Sequence, residues 1–168
     1  MSDKHANTVT TRQARITDLD GITEVERLCF PPLEAATKSA FEKRLGSFPE
    51  SFLLAEADGK IIGIINGCVT DSKVICDEMF TDIAEHKPEG DYQAVFGLAV
   101  IPEHRGQGIA ARLMNEFVEL TRKRGKKGLI LTCKEELIGF YSAFGYENLG
   151  VSGSGHGGAV WYDMIVEF

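Results

Sequence analysis

Apolar residues recur along the chain in two rhythms, and each change of rhythm marks an element. Residues 8–16, TVTTRQARI, alternate loosely and are rich in β-branched side chains, which predicts a first strand. Asp18 stands where it can cap a helix beginning near Leu19, and Ile22, Val25, Leu28 and Cys29 then recur at helical spacing. Pro31-Pro32 ends that helix, because proline cannot continue the ladder and turns the residue before it toward extended backbone. Thr37 is placed to cap a second helix through Phe41 and Leu45, ended near Gly46 and Pro49. Residues 52–69 read as a hairpin, two apolar runs around the turn pair Asp58-Gly59. Periodicity is lost over 71–91. Residues 92–100, YQAVFGLAV, are almost continuously apolar, as in a central strand buried on both faces.

A polar loop comes next, then a helix of about 17 residues with Ile109, Leu113, Phe117 and Leu120 on one stripe. Arg122, Lys123 and Arg124 suit the negative end of its dipole, and Gly125 stops it. Residues 128–133 predict a short buried strand and 135–145 a short helix stopped by Gly145. A last strand, 159–168, comes after a glycine-rich connection. The order β α α β β β α β α β(β) is that of an α/β domain with a mixed sheet.

At 168 residues the chain has the length of one ordinary domain, with a 43% apolar and 26% charged composition typical of globular proteins. Its net charge of −7 argues against nucleic acid and against an anionic membrane surface as partners. The four cysteines, Cys29, Cys68, Cys76 and Cys133, have neither zinc-knuckle nor redox spacing, so reduced thiols and a cytoplasmic location are expected. No set of His, Cys and carboxylate residues has metal-ligand spacing, so no metal is expected. The start, MSDKHANTV, lacks the apolar core of a signal peptide, and residues 1–7 are expected to be a disordered tail.

The polar loop holds Arg105-Gly106-Gln107-Gly108-Ile109-Ala110. Glycines let a backbone approach a ligand closely, and the unpaired N–H groups of a helix start favour an anion. Arg105 adds a formal charge. These features suit a pyrophosphate; the same glycines would also serve a strand–helix turn, and the six residues alone do not separate the two. Gly153-Ser154-Gly155-His156-Gly157-Gly158 matches G-x-G-x-x-G but lacks the flanking strand, helix and distant acid of a dinucleotide site, so it is expected to be a loop between late strands, with a lid role left open.

The neighbours of the first loop carry a resemblance. FGLAVIPEHRGQGIAARLM followed by LTCKEELIGFYSAFGY resembles the GNAT acetyltransferase superfamily. Arg105, Gly108 and Ala110 match its Arg/Gln-x-x-Gly-x-Gly/Ala signature, and Phe140, Tyr141, Phe144, Gly145 and Tyr146 match its acyl-CoA wall. The likeness covers nearly the whole chain and is weakest over 71–91. Arg15, Asp18, Glu26, Phe30, Pro31 and Pro32 further resemble the serotonin (arylalkylamine) N-acetyltransferase group. The resemblance implies one domain over 1–168 with the GNAT fold, a mixed, mostly antiparallel sheet of about six or seven strands flanked by helices. It implies acetyl-CoA as co-substrate. Leu98, Ala99 and Val100 would meet the pantetheine arm through their backbone. The N–H groups of Arg105, Gly106, Gln107, Gly108, Ile109 and Ala110 would hold the pyrophosphate.

Acetyl transfer to an amine must remove a proton from the ammonium, stabilise an oxyanion and quench a departing thiolate. A free N–H near Leu98 could receive the oxyanion, and Gly97 would suit a bulge there. Tyr141 matches the tyrosine that lies beside the sulfur in this family, and a phenol of pKa about 10 can protonate a thiolate. Vertebrate serotonin enzymes carry two histidines where this chain has Ala94 and Phe96, which puts a histidine relay in doubt. Glu26 and Glu34 lie in the segment expected to cover the acceptor, and Glu34 is preferred as base. His86, His104 and His156 fall in predicted loops, and Cys133 is expected to be a small core residue.

Residues 71–91 carry seven acidic residues against two lysines and would either attract a cationic amine or simply form a solvated loop. The expected function is direct transfer of acetyl from acetyl-CoA to the primary amine of a small cationic acceptor, of arylalkylamine or polyamine type. The alternatives are a peptide or protein amine acetyltransferase, marked by an open groove, and a non-catalytic acyl-CoA sensor. Partners are expected to be this small molecule and, at most, a second copy of the chain (monomer or homodimer).

Overall fold

A computed structural model describes residues 8–168; the expected tail, 1–7, lies outside the described residues. The described residues begin with β1 (Thr10–Gln13), followed by α1 (Leu19–Cys29) and α2 (Lys38–Ser47). Asp18 does not cap α1. Its carboxylate accepts two bonds of 2.8 Å from the Arg12 guanidinium and one of 2.8 Å from the Arg15 N–H, a charge-assisted arrangement that outcompetes the cap. Thr37 does cap α2, its Oγ1 accepting the Ala40 N–H at 3.1 Å.

The hairpin is β2 (Phe52–Ala57) and β3 (Lys60–Asn66), turned by Asp58 and Gly59, both at positive φ as a tight two-residue turn requires. β4 (Val69–Thr70) continues the line of β3. After α3 (Glu78–Thr81) come β5 (Tyr92–Val95), β6 (Gly97–Val100) and the long helix α4 (Ile109–Lys123), 15 residues long. β7 (Gly128–Cys133), α5 (Ile138–Ser142), β8 (Glu147–Val151) and β9 (Tyr162–Glu167) complete the described chain.

The strands form two hydrogen-bonded sheets, β1-β2-β3-β6 and β4-β5-β7-β9-β8, in which β5 and β7 are the parallel pair. The fold class is the expected one, a mostly antiparallel mixed α/β arrangement. The difference lies at residues 92–100, expected as one strand and found as two that belong to different sheets. One extra residue divides them. Val69 pairs with Gln93 and Asn66 with Gly97, so three steps along β3–β4 face four along β5–β6. The surplus is a β-bulge at Phe96-Gly97, with Phe96 N–H bonded to Asn66 C=O at 2.7 Å. Gly67 lets the backbones cross here, because a Cβ on it would lie 1.9 Å from the Ala94 carbonyl oxygen.

The bulge makes the two sheets diverge. β5 pairs with β7 as far as Val95 opposite Leu131, and beyond it β6 runs with β3 while β7 stays with β9 through Cys133. A wedge opens between β6 and the end of β7. Ile101 N–H donates to Ile62 C=O at 2.9 Å, and alternate residues of an antiparallel ladder share a side. Gly97 and Ala99 therefore bond toward β3, while Leu98 and Val100 turn their backbone polar groups into the wedge. Helices α1 and α4 both pack on β3 and β6, burying Ile22, Ile62, Ile64, Ile65, Leu113 and Phe117, and hold the wedge's rim in place.

Candidate active site

Two cavities and a groove meet at this wedge. The groove, about 410 Å³, is lined by Cys29, Phe30, Leu98, Ala99, Val100, Arg105, Ala110, Leu137, Phe140 and Tyr141. At its outer end lies the 105–110 loop. Gly106 and Gly108 have φ of 77° and 78°, the left-handed region in which a Cβ is strained. Gly108 is the residue that starts α4 and its carbonyl accepts the Arg112 N–H at 3.0 Å. Among the described residues the N–H groups of Gly106 through Ala111 have no acceptor, so they and the dipole of a four-turn helix converge on one spot. The Arg105 side chain turns inward instead, donating from Nε to the Val100 carbonyl at 2.8 Å. Cys29 donates to that same carbonyl at 3.4 Å.

At the inner end Tyr141, on α5, is buried at 8% exposure and lines both the groove and the adjoining cavity of about 90 Å³. Phe140 and Tyr146 pack edge-on against its ring, with centroids 5.0 and 5.9 Å away. Burial, with a smaller contribution from Cys133, raises its pKa above that of a free phenol, so the ring carries its proton at neutral pH. Cys133 lines the same cavity, but burial pushes its thiol up to about 11, and its Sγ rests 3.3 Å from Met164 Sδ. A neutral thiol is a poor nucleophile, which fits the core role expected for it.

The third space, about 140 Å³, lies beyond the bulge and is enclosed by Glu26, Glu34, Ala36, Thr37, Ala40, Arg44, Asn66, Phe80, Phe96, Gly97 and His156. Glu26, on α1, is 6% exposed. Its Oε2 accepts the Ala36 N–H at 2.8 Å, while its buried Oε1 has no partner among the described residues. That oxygen lies 3.8 Å from where a Cβ on Gly97 would be. Desolvation raises its carboxyl above the ordinary glutamate range, opposed by the Ala36 bond and the charge of Arg44.

Glu34 is differently placed. Lys134 Nζ lies 2.6 Å from its Oε1, and its backbone carbonyl accepts from His156 Nε2 at 2.9 Å. The carbonyl can only accept, so His156 carries its proton on Nε2 there. Glu34 thus faces the cavity already neutralised, whereas Glu26 faces it with an open lone pair.

Several lining residues are not marked by any sequence pattern. His156 reads in the sequence only as a loop residue, yet it stacks on Phe80 at 4.6 Å and walls two cavities. The G-x-G-x-x-G segment is indeed a loop between β8 and β9, and it closes over the site. The Asp77 carboxylate holds it by accepting from Ser154 Oγ and from the Gly155 N–H. The acidic 71–91 stretch therefore borders the cavity, but through Phe80 and Thr81; none of its carboxylates lines the wall. Arg44 and Trp161 carry no signal beyond their residue type.

A wedge between diverging strands, a glycine loop presenting free N–H groups and a long helix behind it coincide with a family model. Residues 19–146 match the model of the acetyltransferase (GNAT) family. The chain belongs to the acetyltransferase (GNAT) family. Among relatives, it is 32% identical over 124 residues to the uncharacterized N-acetyltransferase YkwB of Bacillus subtilis, an alignment covering 67% of this chain and 55% of YkwB. The chain thus spans about half the length of that relative, and 24% of YhcX, a probable hydrolase of the same organism.

Among solved structures, the GNAT-like decarboxylase GphF in complex with isobutyryl-CoA superposes with a TM-score of 0.83 at 19% identity, covering 94% of this chain and 98% of that one. PaiA N-acetyltransferase from Thermoplasma acidophilum in complex with coenzyme A superposes at 0.71 and 17% identity, covering 96% and 99%. At these identities the superpositions speak for the fold. Family model and fold agree in making this an acetyltransferase (GNAT) family domain.

Proposed function

We propose that this GNAT domain transfers acetyl from acetyl-CoA to the primary amine of a small acceptor held in the cavity behind Gly97. The observation that carries the reading is the unpartnered Oε1 of Glu26, buried at the bulge where the donor groove and the acceptor cavity meet. The donor side fits its substrate: the free N–H groups of Gly106 through Ala111 suit the pyrophosphate, and Leu98 and Val100 offer backbone groups to a pantetheine arm. Arg105 contributes its N–H to the preceding turn, bonding Pro102 C=O at 3.3 Å, with its side chain pinning Val100.

In the reaction Glu26 takes the ammonium proton, its raised pKa bringing it closer to that of the amine than an exposed glutamate would be. The Leu98 N–H is aimed into the wedge to receive the carbonyl oxygen as negative charge develops on it. The new C–N bond forms as the C–S bond breaks, Tyr141 donates its phenolic hydrogen to the departing thiolate, and the proton shed by the acylated nitrogen as it becomes an amide restores the phenol. Glu34 has a supporting role: paired with Lys134 and bonded to His156, it fastens the covering loop. This order differs from that expected from sequence, where Glu34 came before Glu26.

The capped cavity supports a small acceptor rather than a peptide in an open groove. Its aromatic walls, Phe80 and Phe96, with Trp161 on the adjoining cavity, support an acceptor with an apolar body over a polyamine. A panel of primary amines with acetyl-CoA, followed by free thiol, tests the reading. Thiol release with arylalkylamines or amino acids supports it. Silence across the panel, with coenzyme A still bound, would overturn it in favour of a sensor.

A further inference from the structure

The acceptor cavity contains a charge that the proposed reaction does not use. Arg44, on α2, is 5% exposed and lines the cavity together with Glu26. Its Nη1 donates to Asn66 Oδ1 at 3.0 Å and its Nη2 to the Phe80 carbonyl at 3.0 Å. The rings of Phe41 and Phe96 lie 5.3 and 4.8 Å from its Cζ. All of these neighbours are neutral. Among the described residues no carboxylate forms an ion pair with Arg44, whereas Arg12 pairs with Asp18 and Glu56, and Arg27 with Glu24. Burial pushes its pKa down to about 10, so at neutral pH it remains a cation.

The charge of Glu26 across the cavity favours the guanidinium, but a buried cation with no carboxylate in contact is still costly, and a neutral side chain could bond Asn66 and Phe80 as well. Two of the five guanidinium N–H groups are used by those bonds, which leaves others for a ligand. The rest of the wall beside it is small, Ala35, Ala36, Ala40 and Gly97, so a ligand can reach it.

We infer that Arg44 receives a carboxylate of the acceptor, so that the substrate class is a small amino acid whose amine is presented to Glu26. The inference rests on the reading of the site as an N-acetyltransferase. The charges then balance: ammonium against Glu26, carboxylate against Arg44, in a cavity of about 140 Å³. A polyamine would bring a second cation toward Arg44 in a site of low dielectric, where repulsion is strongest. A phosphate dianion would overcompensate the single guanidinium and crowd Glu26 with like charge. A carboxylate matches the planar fork of arginine in both charge and shape.

Matched pairs test this directly: L-phenylalanine against phenethylamine, and L-tryptophan against tryptamine, each with acetyl-CoA and thiol detection. The expected result is a preference for the amino acid of about 100-fold in kcat/KM, because a site built for a polar group rejects the analogue that lacks it. In Arg44→Gln the ratio of kcat/KM between the two members of each pair falls toward one, carried by a rise in the KM of the amino acid. Asn66→Asp, nearly isosteric, gives Arg44 an internal counter-ion and also removes the preference, which keeps the test available should Arg44→Gln not fold. Amines equal to or better than amino acids in the wild type would overturn the inference, as would an equal loss for both partners of a pair in Asn66→Asp. If amines turn over without any carboxylate preference, the N-acetyltransferase reading stands and this inference alone falls. If neither class turns over while coenzyme A binds, the underlying reading has failed.

Discussion

The proposed donor half and the proposed acceptor half of the site are built on opposite principles. The proposed donor half is mostly backbone: the polar groups of Leu98 and the N–H of Val100 on β6, and the N–H groups of Gly106 through Ala111. The acceptor half is mostly side chain, from α1, α2, the end of β3, the segment after it and the loop before β9. Backbone does not vary with the residue above it, so the donor half can hold the same coenzyme on many sequences. The acceptor half can be rewritten one side chain at a time. A fold arranged this way fixes its donor and leaves its acceptor free to change.

Substitutions can break that comparison at graded points. The largest effect is expected at the junction. Glu26→Gln should lower kcat by about 10²–10⁴-fold, the usual contribution of a positioned base, while the Kd of coenzyme A is unchanged. The same variant has a stability signature. The folded protein holds the Glu26 carboxyl above its ordinary range, so the native state binds that proton more tightly than the unfolded chain does. The resulting stability is present below the ordinary glutamate pKa and is lost as pH rises through the raised value. Glu26→Gln should therefore match or exceed the wild-type Tm at pH 7, with the difference shrinking toward pH 4. A Tm well below wild type at pH 7 would instead mark Glu26 as a structural ion.

Tyr141→Phe should cost about 10–150-fold in kcat, the range for losing one hydrogen bond to a charged group, and should spare coenzyme A binding. An unchanged kcat would remove Tyr141 from the reaction. Gly108→Val forces a β-branched residue into φ of 78°. Its strain of about 1–3 kcal/mol predicts a 5–150-fold weaker coenzyme A Kd, readable by calorimetry. If kcat at saturating acetyl-CoA also collapses, the two halves are less separable than proposed.

The smallest effect belongs to the cover. Asp77→Ala removes the bonds to Ser154 and Gly155, and about 0.5–1.5 kcal/mol predicts a 2–10-fold rise in acceptor KM with coenzyme A affinity unchanged.

The asymmetry between the halves also explains which features are legible in the chain. The hairpin at Asp58-Gly59, the Thr37 cap, the stripe of α4 and the loop 105–110 are local patterns, each fixed by residues within a few positions of one another. The division of 92–100 is not local. Its apolar run is the same whether β6 stays with β7 or leaves it, and the choice is made by the extra residue opposite Asn66 and by the backbone crossing at Gly67. Asp18 is a similar case, since the arginine that draws it from the helix cap stands on another element.

Sequence alone determined most of the elements, the glycine turn at 105–110 and the place of Tyr141 in a short helix, because hydrophobic period, turn chemistry and a contiguous motif act over short range. Tertiary structure decided the wedge, the isolation of the Glu26 oxygen, the pairing of Glu34 with Lys134 and the meeting of Arg44 with His156 around one cavity. Those features depend on burial and on approach between segments as far apart in the chain as Glu26 and His156. Desolvation and ion pairing are properties of the space around a group, and that space exists only once the chain has folded.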